Sequence, residues 1–380
     1  MIACMKKTKK RSQSHNTFYP LIMVPVLFFI FVIILGNNGF LGFVADAVIH
    51  PVLGEKNTLF LESVYFGLQD KWNQLQYKYL NKTGPSFVQT VSEKTKQLSN
   101  AGQMDLEPIS LRSELPTLKG EGIWSPIAQN LYPDQTVIAK TYIRPDPSRP
   151  YATVFLVKMD MKKLGIGTQA GTYYPGGTRK MYGPGVVPKY IQQNNILLAV
   201  FNGGFQEKDG HYGMVVMGKT YVPLRINMPA LFIYANGSFS LSMYTVGANT
   251  ATASAVRQNG PYLVHNGLIT PYVEQGIDTW GRTITNSMYT WRSGLGVTKN
   301  GNLIYAVGNS LVPQTLAKAL LAAGAADAIQ LDINPPWVRF ITYQPLGNGL
   351  YTFTPLITSM NGGKQFLTGY NKDFFYIYKK

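Results

Sequence analysis

The residues best suited to chemistry fall in three short stretches. In "AIQLDINPPWVRF" (328–340) an apolar run ends on one carboxylate, Asp332, and continues through Asn334, Pro335, Pro336 and Trp337. An aspartate at that place is either a cap bonding its own backbone or a group held for acid–base or sugar-binding work. In "LLAVFNGGFQEKDGHYG" (197–213) an apolar strand runs into Asn202, Gly203 and Gly204. Adjacent glycines let the backbone turn sharply or approach a ligand closely. The Asn202 amide offers a donor and an acceptor to sugar hydroxyls or a phosphate oxygen, although Asn-Gly-Gly is also an ordinary turn. Glu207, Asp209 and His211 follow in the same loop. Either carboxylate is a candidate partner for Asp332, since acid–base chemistry often pairs two carboxyls in different environments. His211 is a candidate proton carrier near neutral pH, or simply an exposed loop residue. In "YTWRSGLGV" (289–297) Arg292 opens a strand beside Ser293, Gly294 and Gly296. Its planar fork suits a phosphate or carboxylate, with a plain ion pair as the alternative. Trp280, Trp291 and Trp337 flank these stretches. Flat apolar rings suit the C–H faces of sugars, though core packing is the commoner use of any one of them.

The elements that must position these residues are mostly strands. From about residue 136 short apolar runs follow closely: "TVIAKTYI", "ATVFLVKMDM", "ILLAVF", "YGMVVMG", "TYVPLR", "ALFIYA", "FSLSMYTV" and "PYLVHNG". Asn236-Gly237 between two of them is a hairpin signal. Then the pattern changes. "NLIYAVG" (302–308) reads as a strand. "PQTLAKALLAA" (313–323) reads as a helix with Pro313 near its start and Gly324 just past its end. "DAIQLD" reads as a strand again. This strand–helix–strand unit has a crossover long enough for parallel strands. It sets Asp332 at a carboxyl strand end, the edge where ligands bind in α/β sheets. The fold class is therefore α+β or mixed α/β: a strand-rich mixed sheet domain with a C-terminal strand–helix–strand unit.

Composition agrees with a strand- and turn-rich body. Of 380 residues 45% are hydrophobic and only 14% charged, with 37 glycines, 24 tyrosines and 23 prolines. The single cysteine, Cys4, excludes an intrachain disulfide and a cysteine metal site. Of four histidines only His211 and His265 lie beyond residue 100, so a His-rich metal centre is not expected; no cofactor is implied, and no ligand cluster for a divalent ion is evident. Net charge is +16, which favours anionic partners. The basic residues beyond the N-terminus are scattered, and no nucleic-acid-binding motif occurs, so a nucleic-acid partner is not expected.

The N-terminus reads as a membrane anchor. Residues 18–35, "FYPLIMVPVLFFIFVIIL", carry no charge and follow the basic run "KKTKKR" (6–11). As a helix the segment would span roughly 27 Å, close to a bilayer core. The positive-inside rule keeps the short N-terminus cytoplasmic and exports everything after residue 40. The competing reading is a signal peptide cleaved at "ADA" (45–47). Next, the spacing of Leu61, Val64, Leu68, Trp72, Leu75 and Tyr79 predicts an amphipathic helix over 58–80, and polar residues 81–107 read as a linker.

Taken together the three chemical stretches resemble the phosphodiester glycosidase family. In that family a strand runs into an Asn-Gly-Gly-Phe or Asn-Ala-Gly-Phe turn, matched by Asn202, Gly203, Gly204 and Phe205. A Pro-x-Leu-Val-x-x-Gly segment is matched by "PYLVHNG" (261–267). An Arg-Ser/Thr-x-x-Gly strand is matched by Arg292, Ser293 and Gly296, and a Leu-Asp strand end by Leu331 and Asp332. Many members continue Leu-Asp into a glycine-rich turn ending in serine. Here Ile333, Asn334, Pro335, Pro336 and Trp337 follow, and prolines donate no backbone N–H. The Leu-Asp-Ile-Asn variant, with upstream "GEGIW" and "RPDP", is similar to a membrane-anchored bacterial-type subfamily. The resemblance implies a basic cytoplasmic tail (1–17), a transmembrane anchor (18–40), a membrane-proximal helix and linker (41–110) and a phosphodiester glycosidase-like domain (111–380). It implies an extracytoplasmic hydrolase of sugar-1-phosphodiester bonds. Asp332, Arg292, His211 and Glu207 would be catalytic, and Asn202, Gly203, Gly204, Ser293, Asn334 and Trp337 would bind the glycan or sugar-phosphate substrate. The rival is a non-catalytic cell-envelope binder of anionic glycans or phosphate polymers. A third reading is a structural envelope protein assembled through its stalk helix.

Overall fold

The structure is a computed structural model describing residues 71–80, 87, 104–111, 115–247, 250, 252–281, 289–334, 337–360 and 362–380. In chain order the strands are β1 (Ser125–Pro126), β2 (Ile138–Ile143), β3 (Val154–Met159), β4 (Leu164–Gln169), β5 (Leu197–Asn202), β6 (Met214–Val216), β7 (Lys219–Val222), β8 (Met228–Tyr234), β9 (Phe239–Tyr244), β10 (Ala253–Gln258), β11 (Tyr262–His265), β12 (Leu268–Ile269), β13 (Thr290–Thr298), β14 (Leu303–Leu311), β15 (Ala325–Ile333), β16 (Phe340–Gly347), β17 (Leu350–Pro355) and β18 (Phe374–Lys379). They form an eight-stranded sheet, β1-β2-β3-β14-β13-β15-β11-β12, and two five-stranded sheets, β7-β6-β10-β8-β9 and β17-β16-β5-β18-β4.

Side chains alternate across the pleat, and this splits the apolar residues of the eight-stranded sheet between two cores. Phe155, Val157 and Met159 of β3 join a core shared with Leu198 and Phe201 of β5, Ile377 of β18 and Leu231 of β8. Val154 and Leu156 face the other way, toward Leu316, Ala317 and Leu320 of the helix Pro313–Ala322. The main helix is thus confined to one face of the large sheet, and the two smaller sheets pack on the other.

The strand–helix–strand unit is present, with one feature the sequence does not reveal. Strand β13 lies between β14 and β15 and pairs antiparallel with both, so β14 and β15 run parallel without touching. The glycines of β13 let the helix lie close. A Cβ at Gly294 would sit 2.9 Å from Leu320 Cδ1, and one at Gly296 would sit 3.3 Å from Leu320 Cδ2. The expected hairpin joins β8 to β9, with Gly237 at φ +74° and Asn236 Oδ1 accepting the Ser238 N–H.

Residues 104–111 fall in the expected linker up to Glu107, yet Met104, Leu106, Ile109 and Leu111 pack against the helix-side core. Residues 71–80 are helical, with Trp72, Leu75 and Tyr79 of the expected apolar stripe exposed. The apolar run 18–35 and residues 58–70 of the expected helix lie outside the described residues. Among the described residues no helix is long and apolar enough to cross a membrane.

The close approach of helix to β13 makes Gly294→Val an expected overpacking variant. It should lower unfolding stability by about 1–3 kcal/mol or more. A urea-denaturation midpoint equal to that of the native chain would show that the contact yields freely.

Candidate functional site

Asp332 lies near the end of β15, where the strand breaks its alternation. Arg292 pairs with Ile333, and Gly294 pairs with Gln330, so β15 carries one extra residue against β13. Such bulges re-aim side chains. Gln330 and Arg292 stay together, Gln330 Oε1 accepting from Arg292 Nη1 at 2.7 Å. The Asp332 carboxyl instead meets the Lys372 ammonium in the segment before β18. Its other oxygen accepts the Ile333 N–H at 2.9 Å, while its backbone N–H donates to Gly203 O and its carbonyl accepts from Ser293 Oγ. Asp332 and Lys372 are both buried, at 5% and 6% exposure. Burial pushes the Asp332 carboxyl up to about 6, with Lys372 pulling the other way. Burial draws Lys372 down, but the charge of Asp332 and the neighbouring Tyr370 and Asp373 outweigh it and hold the ammonium above its usual range.

The Lys372 ammonium sits 4.3 Å from the ring centre of Trp337 and 5.9 Å from that of Tyr174, within the range of cation–π attraction. Both rings are half-buried, as is Tyr370. The site is therefore a carboxyl–ammonium pair beneath a partly open aromatic rim.

The next residue, Asp373, is enclosed. Its Oδ2 accepts from Arg257 Nε at 2.9 Å and from the Gly204 N–H at 3.0 Å. Its Oδ1 is buried and, among the described residues, has no hydrogen-bond partner. Arg257 also donates to the carbonyls of Phe205, Tyr212 and Gln258. This explains Gly203 and Gly204. A Cβ at Gly203 would lie 2.0 Å from Asp373 Oδ2, and one at Gly204 would lie 2.5 Å from Asn259 Oδ1. The glycine pair admits a buried ion pair, and only Gly can be approached so closely.

The sequence-derived candidates separate into three groups. Asn202, Ser293 and Asp332 come together: Asn202 Nδ2 donates to Ser293 Oγ at 2.9 Å, and Ser293 Oγ donates to Asp332 O at 2.7 Å. The Asn202 amide is engaged within the protein, its Nδ2 also donating to Gly203 O and its Oδ1 accepting from Tyr305 and the Arg339 N–H. Arg292 points to the helix side. It is wholly enclosed and donates to Leu311 O, Trp280 O and Gln330 Oε1. Glu207 and His211 form a third group with Thr178 and Arg179, both of which donate to the Glu207 carboxylate. Burial pushes the Glu207 carboxyl up, but the hydrogen bonds from Thr178 and Arg179 and the charge of Arg179 and His211 hold it below the usual range. His211 is 70% exposed and lies 3.9 Å from Glu207.

Asn334 turns the chain at φ +76°, with its Oδ1 accepting from Thr290 Oγ1 and its N–H donating to Trp291 O. Pro335 and Pro336 lie outside the described residues. Of the three tryptophans, Trp280 and Trp291 are core residues and Trp337 borders the site. Among the described residues no three His, Cys, Asp or Glu side chains converge to hold a metal.

Sequence reasoning missed Lys372, Asp373 and Arg257. The available signal was "NKDFF" (371–375), adjacent opposite charges directly before an aromatic strand.

The phosphodiester glycosidase family matches residues 195–332. That segment runs from the start of β5 to Asp332, so the resemblance carried by the Asn-Gly-Gly-Phe, Arg-Ser and Leu-Asp motifs holds over it. No curated protein matches the chain significantly. Among solved structures, the zebrafish N-acetylglucosamine-1-phosphodiester alpha-N-acetylglucosaminidase catalytic domain, auto-inhibited by its pro-peptide, is 15% identical, with 68% of this chain and 88% of that chain covered and a TM-score of 0.41. A hypothetical protein from Synechocystis is 12% identical over 65% of this chain and 63% of that chain, TM-score 0.31. A putative exported protein from Burkholderia pseudomallei is 11% identical over 60% and 74%, TM-score 0.31.

Removing Arg257 would leave Asp373 as an uncompensated buried charge. Arg257→Met should cost about 3–5 kcal/mol in chemical denaturation. The double variant with Asp373→Asn should recover part of that loss. Simple additivity of the two losses would count against a direct pair.

Proposed function

We propose that this chain, whose residues 195–332 match the phosphodiester glycosidase family, hydrolyses the bond between a sugar anomeric carbon and a phosphodiester. The observation that carries the reading is Asp332, the last residue of the matched segment, in a buried pair with Lys372 from beyond that segment, beneath the Trp337 and Tyr174 rings.

In this reading the phosphodiester brings a negative charge to the Lys372 ammonium, which then has two anions to share. Fixed charge at a dry site stabilises charge as it develops on a leaving group. Lys372 takes the phosphate-clamp role expected of Arg292. Asp332, relieved of part of its pairing, accepts a proton from water as the water oxygen bonds to the anomeric carbon. The bond from the anomeric carbon to the bridging oxygen breaks, and that oxygen leaves with the electron pair as part of the phosphate monoester. That leaving group is a weak base and needs no proton, so one base and one cation suffice. Trp337 and Tyr174 offer ring faces to the sugar.

We further infer that residues 18–35 anchor the chain in the membrane, with the strand-rich body outside the cytoplasm, and that Leu-Asp-Ile-Asn marks an anchored subfamily. The uncharged length and the preceding basic run support this. Deleting residues 1–40 should move the chain from the membrane pellet to the soluble fraction. An unchanged pellet fraction would remove the anchor.

Release of sugar from N-acetylglucosamine-1-phosphodiesters tests the reaction. Asp332→Asn should lower kcat by about 10²–10⁴-fold. A base must be ionised to act, so kcat/KM should rise with pH and level off above about 6, the value to which burial lifts Asp332. Lys372→Met should raise KM and lower kcat together. Tight binding of the substrate with no turnover by the native chain would instead support the non-catalytic glycan binder.

A further inference from the structure

A second site lies at the opposite end of β15. A cavity of about 370 Å³ opens between the end of the helix Pro313–Ala322, the β13–β14 turn and the packed segment 104–111. Its wall includes Asp105, Lys158, Thr298, Lys299, Asn302 and Gly324. It reaches Ala325, seven residues before Asp332 on the same strand. At about 3.3 Å per residue the two places are roughly 23 Å apart, so they are separate. The volume falls at the small end of ligand pockets, about 300–1,000 Å³.

Two buried polar side chains on this wall have unused bonding capacity. Lys158, on β3, is 4% exposed. Its ammonium has three donors. One goes to the Asp105 carbonyl at 2.7 Å, and the Trp124 ring centre lies 4.8 Å away. Among the described residues Lys158 makes no ion pair within 4.0 Å; burial draws its ammonium below the usual range, with the Asp105 charge pulling the other way at longer range. A buried cation so lightly partnered is costly unless something else meets it. Asn302 is 5% exposed, and among the described residues its side-chain amide makes no hydrogen bond, although its backbone N–H donates to Thr298 Oγ1 at 3.0 Å. Lys299 adds a second, exposed cation at the mouth. With Asp105 the wall carries two positive charges and one negative.

We propose that this cavity binds a small anionic sugar, its acid group against Lys158 and Lys299 and its hydroxyls against the Asn302 amide and the carbonyls ending the helix. The mixed wall fits that class better than a bare anion. The carboxylate of Asp105 and the helix C-terminus both favour donors, which a sugar supplies through several hydroxyls and inorganic phosphate near neutral pH through only one or two. The inference stands apart from the reaction proposed at Asp332, since it uses none of the same residues.

Calorimetric titration of the full chain at low salt tests it, with glucose 6-phosphate, glucuronate, inorganic phosphate and glucose as probes. Glucose 6-phosphate, glucuronate or both should bind, and inorganic phosphate and glucose should each bind about tenfold more weakly or worse. Lys299→Ala with Asn302→Ala, and separately Lys158→Met, should weaken the acidic-sugar signal by about tenfold or more, and Asp332→Asn should leave it unchanged. The Lys299 and Asn302 substitutions sit at or near the turn and keep the test open if Lys158→Met fails to fold. No binding at millimolar sugar, binding indifferent to the cavity variants, or binding lost only with Asp332→Asn would each overturn the proposal. A stronger signal for inorganic phosphate than for either sugar would overturn the sugar assignment.

Discussion

The arrangement depends on one dipeptide. Lys372 and Asp373 stand just before β18, in the sheet that also holds β5. Lys372 reaches Asp332 on β15 of the eight-stranded sheet, and Asp373 reaches Arg257 on β10 of the remaining sheet. The chain bends at Lys372 just before β18, and the two neighbouring side chains reach different elements. Two adjacent charges can therefore engage two different sheets, and this pair joins all three. Asp373 also holds the glycine turn after β5 through the Gly203 and Gly204 N–H groups. The site is thus the place where the three sheets are fastened together.

That fastening is electrostatically expensive in isolation. Buried charges seldom add net stability over a well-packed apolar substitute, but losing one partner is strongly destabilising. What such a network fixes is geometry. Asp332 is bound on every side: by Lys372 at the carboxyl, by the Ile333 N–H, and by Gly203 and Ser293 at its backbone. Asn202 then ties Ser293 to Tyr305 and Arg339. A carboxyl held this firmly is set in one position before any ligand arrives, as preorganised sites require.

Much of the fold was legible because it follows from local pattern. The alternating runs became strands, Pro313 and Gly324 bounded the helix, and Asn236-Gly237 turned the hairpin, since each depends on neighbours within a few residues. The insertion of β13 between β14 and β15 depends on pairing across the sheet, which no local window records. The same division holds at the site. Asp332 was recognisable as a carboxylate ending a buried strand. The bulge that separates it from Arg292 was not, because one extra residue in a register leaves no mark in composition. Gly203 and Gly204 suggested close approach, and close approach is present, but to Asp373, 169 residues from Gly204. Lys372 and Asp373 went unread because an Asn-Lys-Asp run looks like a solvated turn until its burial is known.

The bulge also bears on what chemistry one carboxylate can support. Hydrolysis of an ordinary glycoside needs an acid for the departing alkoxide and a base or nucleophile for the other face, hence two carboxyls. Departure of a phosphate monoester removes the need for the acid, because the charge that leaves is already stable in water. It creates another need, a cation beside the breaking bond. Had β15 kept strict alternation, Asp332 would have faced the helix side with Arg292, whose guanidinium is committed to the carbonyls of Leu311 and Trp280 and to Gln330. The extra residue gives it instead an ammonium with a compact charge, rotatable donors and aromatic neighbours. In the reaction proposed above, a single base paired with a single buried cation fits phosphodiester-linked sugars better than simple glycosides. On that ground Glu207, drawn into its own cluster with Thr178 and Arg179, is not required as a second carboxylate.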